Sequence, residues 1–559
     1  MHIRKVVHAY KNLFESPSEK SLGDSDDCNH DNNINCYSNW DKQSDGVAVV
    51  LLSNGDELCS GSLLNNTAQN FRPFFLSAFH CIDSDDNGSL STSEKNDAEN
   101  WMFKFQYKVT ECNGNTVRTS YTYNRANFRA AWNNTDFALM ELKESPLGNQ
   151  EITWLGWDRS GSTPSEGTGI HHPNGDVMKV AFAYDKLNSS SWPSNNNHWL
   201  LYYDEGVVEH GSSGSPLFNE NKRVVGQLHG NQHYDPNQDY CDQPRAEYGK
   251  FHLSWNGGET KETQLKHWLD PIDSGTQTLN TIRSPNIYIA GDDPLCSGGS
   301  TYNIYNLPSG TSVAWSATPS HLFTNTGDTS STFITAWDGS GVGTGTITAT
   351  LTGDFGSAAI TKDIWVGRPK KPVTSPSQSS MTDAGVGDII PVDIISVEGG
   401  DKNLGNWSAS GTISISNPFL NPGAGMIFDA DAVGYGFWYV NVSNECGTSY
   451  NTSGTVDVSS SGGGLPGGLS LTLSPNPVSS EMTVTVEEET NTAKTTKAKT
   501  KYQAFIYHSV RGLVYTNVFM DSNFKISANE LEVGTYILKV VSSDGNVGQV
   551  HFIKGNKAF

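Results

Sequence analysis

Eight cysteines, at 28, 36, 59, 81, 112, 241, 296 and 446, do most to constrain what this 559-residue chain can fold into. Six of them lie in the first half without a CxxC pair, which suits a framework of disulfides better than a zinc site. Their connectivity is not readable from spacing alone. Disulfides imply an oxidising compartment. Met1 to Glu19 is charged and lacks the apolar core of a signal peptide, so either the chain starts late or a leader has been lost.

Around the cysteines the pattern is that of short strands. Val47-Ala48-Val49-Val50-Leu51-Leu52 reads as a buried strand, Asn54-Gly55 as a turn, and Cys59 to Leu64 as the next strand. Strands and turns continue to about residue 255. Lys261 to Leu269 reads as one amphipathic helix ended by Pro271. Past Ile282 charge thins and Gly, Ser and Thr take over. Two similar stretches follow, with Trp315 and Trp407 early in each, which read as immunoglobulin-like sandwiches.

The expected fold is all-β. Its parts are a polar leader or propeptide remnant (1–26), a double β-barrel (27–282), two sandwiches (283–369 and 370–458), a Ser/Gly linker (459–468) and a small C-terminal β-sandwich (469–559). A net charge of −23 argues against nucleic acid as a partner, because its phosphates would be repelled. No apolar run is long enough to span a membrane as a helix, and a monomer is expected.

Candidate chemistry centres on Gly211-Ser212-Ser213-Gly214-Ser215-Pro216. A serine between glycines on a tight turn presents its hydroxyl, and glycine lets backbone N–H groups approach a carbonyl oxygen. Upstream lie His80, in Leu76-Ser77-Ala78-Phe79-His80-Cys81, and Asp136, before the apolar strand Phe137 to Met140. Ser213 is the expected nucleophile, His80 the general base then acid, and Asp136 the carboxylate that fixes the imidazole tautomer. The backbone N–H groups of Gly211 and Ser213 would form an oxyanion hole, each donor worth about 3 kcal/mol of transition-state stabilisation. No cofactor is expected for catalysis.

The order His…Asp…Ser is that of chymotrypsin-type peptidases. To about residue 275 the chain resembles the bacterial lysyl endopeptidases, a branch of that fold. The resemblance rests on Cys59 to Ala68, Phe75 to Cys81, Trp154 to Arg159, Ile170 to Asn174, Gly211 to Pro216, Val224 to Gly230 and Trp268 to Pro271. It implies a chymotrypsin-like barrel acting on protein or peptide substrates, with the pairs Cys28–Cys241, Cys36–Cys112 and Cys59–Cys81. It also implies a substrate cleft lined by Val207, Val208, His229, Gly230, Ala246 and Trp192.

Two departures bear on specificity. Where the family carries a lysine-binding aspartate two residues before a Tyr-Gly pair, this chain has Ala246 before Tyr248-Gly249. Val208, beside Val207, replaces a threonine of the same pocket. A lone ammonium is strongly disfavoured in an apolar pocket, so cleavage after medium-sized apolar residues is expected, unless Glu247 or Asp242 swings in. Lysine specificity is the alternative, and an inactive surface adhesin is a second. Ser212 stands where trypsins carry the aspartate that pairs with a newly freed amino terminus, so activation of that kind is not expected.

Asp83-Ser84-Asp85-Asp86-Asn87-Gly88-Ser89-Leu90-Ser91-Thr92-Ser93-Glu94 fits a twelve-residue calcium loop. Asp83, Asp85, Asn87, Ser89, Ser91 and Glu94 are the expected ligands of a structural Ca2+. Finally, Leu473-Ser474-Pro475-Asn476-Pro477-Val478, Gly534 to Val540 and the terminal Phe552-Ile553-Lys554 resemble the sorting domain of type IX secretion substrates. That resemblance implies the type IX machinery as a partner, and release or attachment at the cell surface.

Overall fold

A computed structural model describes residues 24–51, 58–112, 114–192, 195–376, 382–386, 388–415, 425–459, 469–476, 478–488, 500–508, 512–532, 534–543 and 547–554. Most of the 459–468 linker, the Lys/Thr-rich stretch around 491–499, and residues 1–23 of the expected leader lie outside these residues. In the described part of that leader Ser25 is buried, and its hydroxyl donates to Asp176 at 2.8 Å.

The first half forms two antiparallel sheets. The strands of the first are β1 (Val47–Leu51), β2 (Leu58–Leu64), β3 (Phe74–Ala78), β4 (Met102–Phe105), β5 (Tyr121–Asn124), β6 (Ala126–Trp132) and β7 (Phe137–Leu142). They run in the order β5-β4-β1-β2-β3-β7-β6. The short β8 (Thr153–Trp154) leads into the second sheet. Its strands are β9 (Gly167–His171), β10 (Lys179–Ala183), β11 (Asn188–Ser190), β12 (His198–Tyr202), β13 (Pro216–Phe218), β14 (Val224–Gly230) and β15 (Arg245–Lys250), ordered β10-β9-β13-β14-β15-β12-β11.

β1, β3 and β7 are buried along their whole length, which is why they are mostly apolar rather than alternating, with Ser77 and Glu141 the buried polar exceptions. Ala48, Phe75, Phe103 and Met140 fill the first sheet. Leu201, Leu217, Leu228 and Tyr248 fill the second. A third cluster joins the two: Val47, Phe74 and Phe137 meet Ile170, Phe218 and Val224 around Trp157 and Phe251. Fully burying side chains of this size stabilises by about 1.5–3 kcal/mol each, so the sheets are held face to face chiefly by this seam.

Lys261–Leu269 is not one helix. A 3-10 turn covers Lys261–Thr263, a short α-helix covers Lys266–Leu269, and Gln264 between them is extended (φ −132°, ψ 134°). Leu265 and Leu269 are buried all the same, so the apolar spacing served packing rather than helical continuity. A short helix covers Thr92–Ala98, capped by Ser91.

Beyond Arg283 the described strands form three further pairs of sheets and one small two-stranded sheet. Their cores are built on Trp315 with Phe333 and Ile347, on Trp407 with Phe428 and Trp438, and on Val484 with Ile506 and Leu538. The pairs formed by the first six cysteines are those the resemblance implies: Cys28–Cys241, Cys36–Cys112 and Cys59–Cys81. Cys296 and Cys446, which the sequence left open, bond to each other across the first two of these later units.

Candidate active site

The seam between the two sheets brings the three candidate segments together. His80 follows the end of β3, and Asp136 precedes β7, the neighbour of β3 in the sheet. Phe79 N–H donates to the Asp136 carbonyl at 2.8 Å, which ties the two turns at the backbone. Asp136 ends a 3-10 turn, Asn133–Thr135, with a left-handed φ of 53°, a conformation that a short polar side chain tolerates. Its carboxylate is 1% exposed and accepts twice from one residue: from His80 N–H at 3.0 Å and from His80 Nδ1 at 2.9 Å. Burial pushes this carboxyl up, but His229, His80 and the two hydrogen bonds outweigh it and hold it below the usual carboxylate range. An ionised carboxylate at Nδ1 makes that nitrogen the donor and makes Nε2 the nitrogen that takes up a proton.

Ser213 comes from the other sheet, on the turn before β13. Its carbonyl accepts from Ser60 N–H on β2 at 2.7 Å, and Gly214 N–H donates to the Leu228 carbonyl at 2.9 Å. Ser60 Oγ also donates to the Gly211 carbonyl at 2.8 Å. The turn is thus pinned to the first sheet at both ends. Gly214 is required there: its φ is 79°, and a Cβ would stand 2.3 Å from Ser77 Oγ. Gly211, with φ 84°, is similarly backed by the His172 carbonyl. Ser213 itself is half-buried, while both its neighbours are buried.

His229, on β14, stacks on His80 with ring centroids 5.5 Å apart, and Trp192 stacks on His229 at 3.7 Å. Gly230, with φ 152°, lies beside the Trp192 ring, which a Cβ there would meet at an ordinary contact distance of 3.5 Å. Sequence reasoning missed what holds this stack. His198 Nε2 lies 3.0 Å from His229 Nδ1, and His198 Nδ1 lies 2.8 Å from Asn197 Oδ1. Asn197 Oδ1 accepts Trp192 N–H at 3.0 Å, and Nδ2 donates to the Asn134 carbonyl, so the amide orientation is fixed by backbone groups. His198 therefore donates from Nδ1 and accepts at Nε2, and His229 donates from Nδ1. Burial keeps both rings neutral: His198 is pushed down to about 3, and His229 also lies below the usual range.

Val207, Val208 and Ala246 are all buried. Ala246 and Val208 pack with Leu228, Tyr203 and Tyr248, whose two hydroxyls are 2.5 Å apart. Glu247 does not swing toward them. It is buried in an ion pair with Arg245 at 2.5 Å and accepts Gln232 N–H at 3.0 Å. Asp242 is exposed on the turn beside Cys241.

Among the described residues three clusters have metal-ligand types close together. His80, Asp136 and His229 form one, and Asp26, Asp239 and Cys241 another, whose sulfur is spent in a disulfide. The third is Asp83, Asp85 and Glu94, with candidate oxygens within 4.8 Å of one another. Gly88 has φ 77° and its N–H donates to Asp83 at 2.7 Å, while Asn87 Nδ2 donates to Asp85. Ser91 caps the following helix, and Glu94 accepts from the N–H groups of Ser84 and Ser91. Ser89 N–H donates to Asn87 Oδ1. The donor set is all oxygen and the turn is tight, which fits a hard cation such as calcium.

Residues 22–243 match the family model of the lysyl endopeptidase C-terminal domain. A curated relative, the lysyl endopeptidase of Pseudomonas aeruginosa, is 28% identical over 283 residues, covering 46% of this chain and 55% of the relative. The chain thus matches only about half the length of that relative. Among solved structures, the secreted serine protease VesC of Vibrio cholerae aligns at 12% identity over 91% of this chain and 92% of its own, with a TM-score of 0.27. A Glu endopeptidase aligns at 15% identity over 37% and 85%, with a TM-score of 0.26. The first half of this chain is lysyl endopeptidase-like, and the match spans both sheets as far as Gln243, including the turns of His80, Asp136 and Ser213.

Proposed function

We propose that this protein is an exported serine endopeptidase that cleaves protein substrates through an acyl-enzyme formed on Ser213. The observation that carries the proposal is the buried Asp136 carboxylate gripping both the backbone and Nδ1 of His80, beside a turn that presents a serine from the facing sheet. Such a carboxylate orients the imidazole and stabilises its charged form as Ser213 attacks the scissile carbonyl. The Gly211 and Ser213 N–H groups receive the negative charge that develops on the carbonyl oxygen. Casein hydrolysis by the native chain and its loss in Ser213→Ala tests this, and equal activity in the two would refute it.

Substrate choice follows from Val207, Val208 and Ala246. With no carboxylate in that set, and Glu247 engaged by Arg245, an apolar P1 side chain is the better fit. Lysine cleavage is the competing reading, since the matched family model and relative are both lysyl endopeptidases. Four disulfides support an extracellular location, reached through the C-terminal sorting unit and ending in release or surface attachment. The two immunoglobulin-like units serve as spacers or docking modules. Asp83, Asp85 and Glu94, with Asn87, Ser89 and Ser91, hold a structural calcium that pins the loop next to His80; Asn133, at the start of the Asp136 turn, donates to the Gly88 carbonyl of that loop.

A further inference from the structure

Residues 24–29 lie against the segment that leads into the Ser213 turn. Asn29 is 0% exposed and spends both ends of its amide on the backbone of a single residue. Its Oδ1 accepts Val207 N–H at 3.0 Å, and its Nδ2 donates to the Val207 carbonyl at 2.9 Å. Nδ2 also donates to Glu209 Oε1 at 2.6 Å, and the same oxygen accepts Asp26 N–H at 2.9 Å. Gly206 permits the approach: its φ is 70°, and a Cβ there would fall 2.7 Å from Asn32 Nδ2.

The contact continues toward the nucleophile. Glu209 N–H donates to Ser212 Oγ at 3.1 Å, and Ser212 Oγ lies 2.7 Å from Nδ1 of the buried His171. The residue before Ser213 is thereby held by neutral groups rather than an ion pair. The preceding residue, Cys28, is bonded to Cys241 in the loop between β14 and β15. That loop carries Tyr234 and Tyr240, which stack on each other at 5.0 Å and meet the edge of His210. Two consecutive residues therefore fasten two segments that come together at His210: Cys28 holds the loop, and Asn29 holds Val207 to Glu209.

We infer that Asn29 is a positioning residue for substrate, a side-chain clamp that holds the Val207–Glu209 wall in the conformation that receives the P1 side chain. The inference rests on the peptidase reading above. An asparagine is demanded because the site asks for one acceptor and two donations from one buried group. Leucine would leave the Val207 N–H and carbonyl unpaired, and aspartate would lack the donor.

The pH response separates this role from generic support. Burial pushes the Glu209 carboxyl up to about 7. The charged groups around it are Asp26, Asp176 and Lys179. A carboxyl at position 29 would share a proton with Glu209, and in its protonated form it recovers a donor and an acceptor.

The test uses the full chain and two reactions. One is hydrolysis of a peptide amide bearing an apolar P1 residue. The other is inactivation by diisopropyl fluorophosphate, which needs the activated serine but carries no P1 side chain. Asn29→Leu is expected to lower kcat/KM for the peptide by about 100-fold, the cost of a misplacement of about 1 Å, while the inactivation rate falls less than about fivefold. Asn29→Asp is expected to be most impaired near pH 8.5 and to approach the native rate as pH falls toward 6. The inference is overturned if Asn29→Leu keeps its peptide activity, if both reactions fall equally, or if the Asn29→Asp ratio does not change with pH. Should Asn29→Leu fail to fold, the Asn29→Asp profile alone decides. A native chain that neither cleaves peptide nor reacts with the fluorophosphate refutes the peptidase reading, and this inference with it.

Discussion

Asp136 accepts two hydrogen bonds from His80, one from the backbone N–H at 3.0 Å and one from ring Nδ1 at 2.9 Å. An amide in its place can accept with only one oxygen, so one of the two donors would face an NH2 group. Asp136→Asn is therefore expected to lower kcat by about 10⁴, with little change in KM, because the wrong imidazole tautomer is favoured. Steady-state kinetics on an amide substrate checks this. A loss under tenfold would mean that the carboxylate does not set the ring.

The pocket argument predicts a gain as well as a preference. Native enzyme should cut a peptide library after medium-sized apolar residues. Ala246→Asp places a carboxylate among Val208, Leu228 and Tyr248, and should raise the rate after lysine relative to leucine by about 100-fold, since a buried charge pair replaces an unpaired ammonium. Lysine dominance in the native profile would overturn the assignment of these residues.

For the loop from Asp83 to Glu94, the thermal midpoint should rise with millimolar calcium and fall with chelator. Glu94→Gln should abolish the difference, because it removes an anionic ligand while the Ser91 cap remains. An identical midpoint with and without chelator would remove calcium from the account.

Three buried imidazoles make stability depend on acid. Burial pushes His171 down to about 3, His172 to about 4 and His198 to about 3. A folded pKa below the unfolded value of about 6.5 means that the unfolded chain takes protons first. Their contribution is complete above about pH 6.5 and is lost progressively as pH falls toward 4, each ring costing up to about 1.4 kcal/mol per pH unit. Urea midpoints should drop between pH 7 and 5. His172→Gln should shallow that slope, and an unchanged slope would show that the ring is not held neutral.

Much of the first half was legible because its signals are local. The unbroken apolar runs at Val47–Leu51 and Phe137 to Met140 are strands, and the glycines at 211 and 214 sit where positive φ is needed. The expectation of a helix over 261–269 failed because Leu265 and Leu269 pack at helical spacing although Gln264 is extended between them. Asn29, Asn197 and His198 carry no pattern in the sequence. Each acts on a residue that only the tertiary fold brings near: Val207 for Asn29, Asn134 for Asn197, His229 for His198.

The central claim is that Ser213 is a nucleophile made reactive by His80. Reaction of the full native chain with diisopropyl fluorophosphate, followed by peptide mass mapping, tests it most directly. One phosphoryl group on Ser213, formed in step with loss of casein hydrolysis and absent in His80→Ala, is the predicted result. An unlabelled Ser213, or label elsewhere with activity intact, would contradict it.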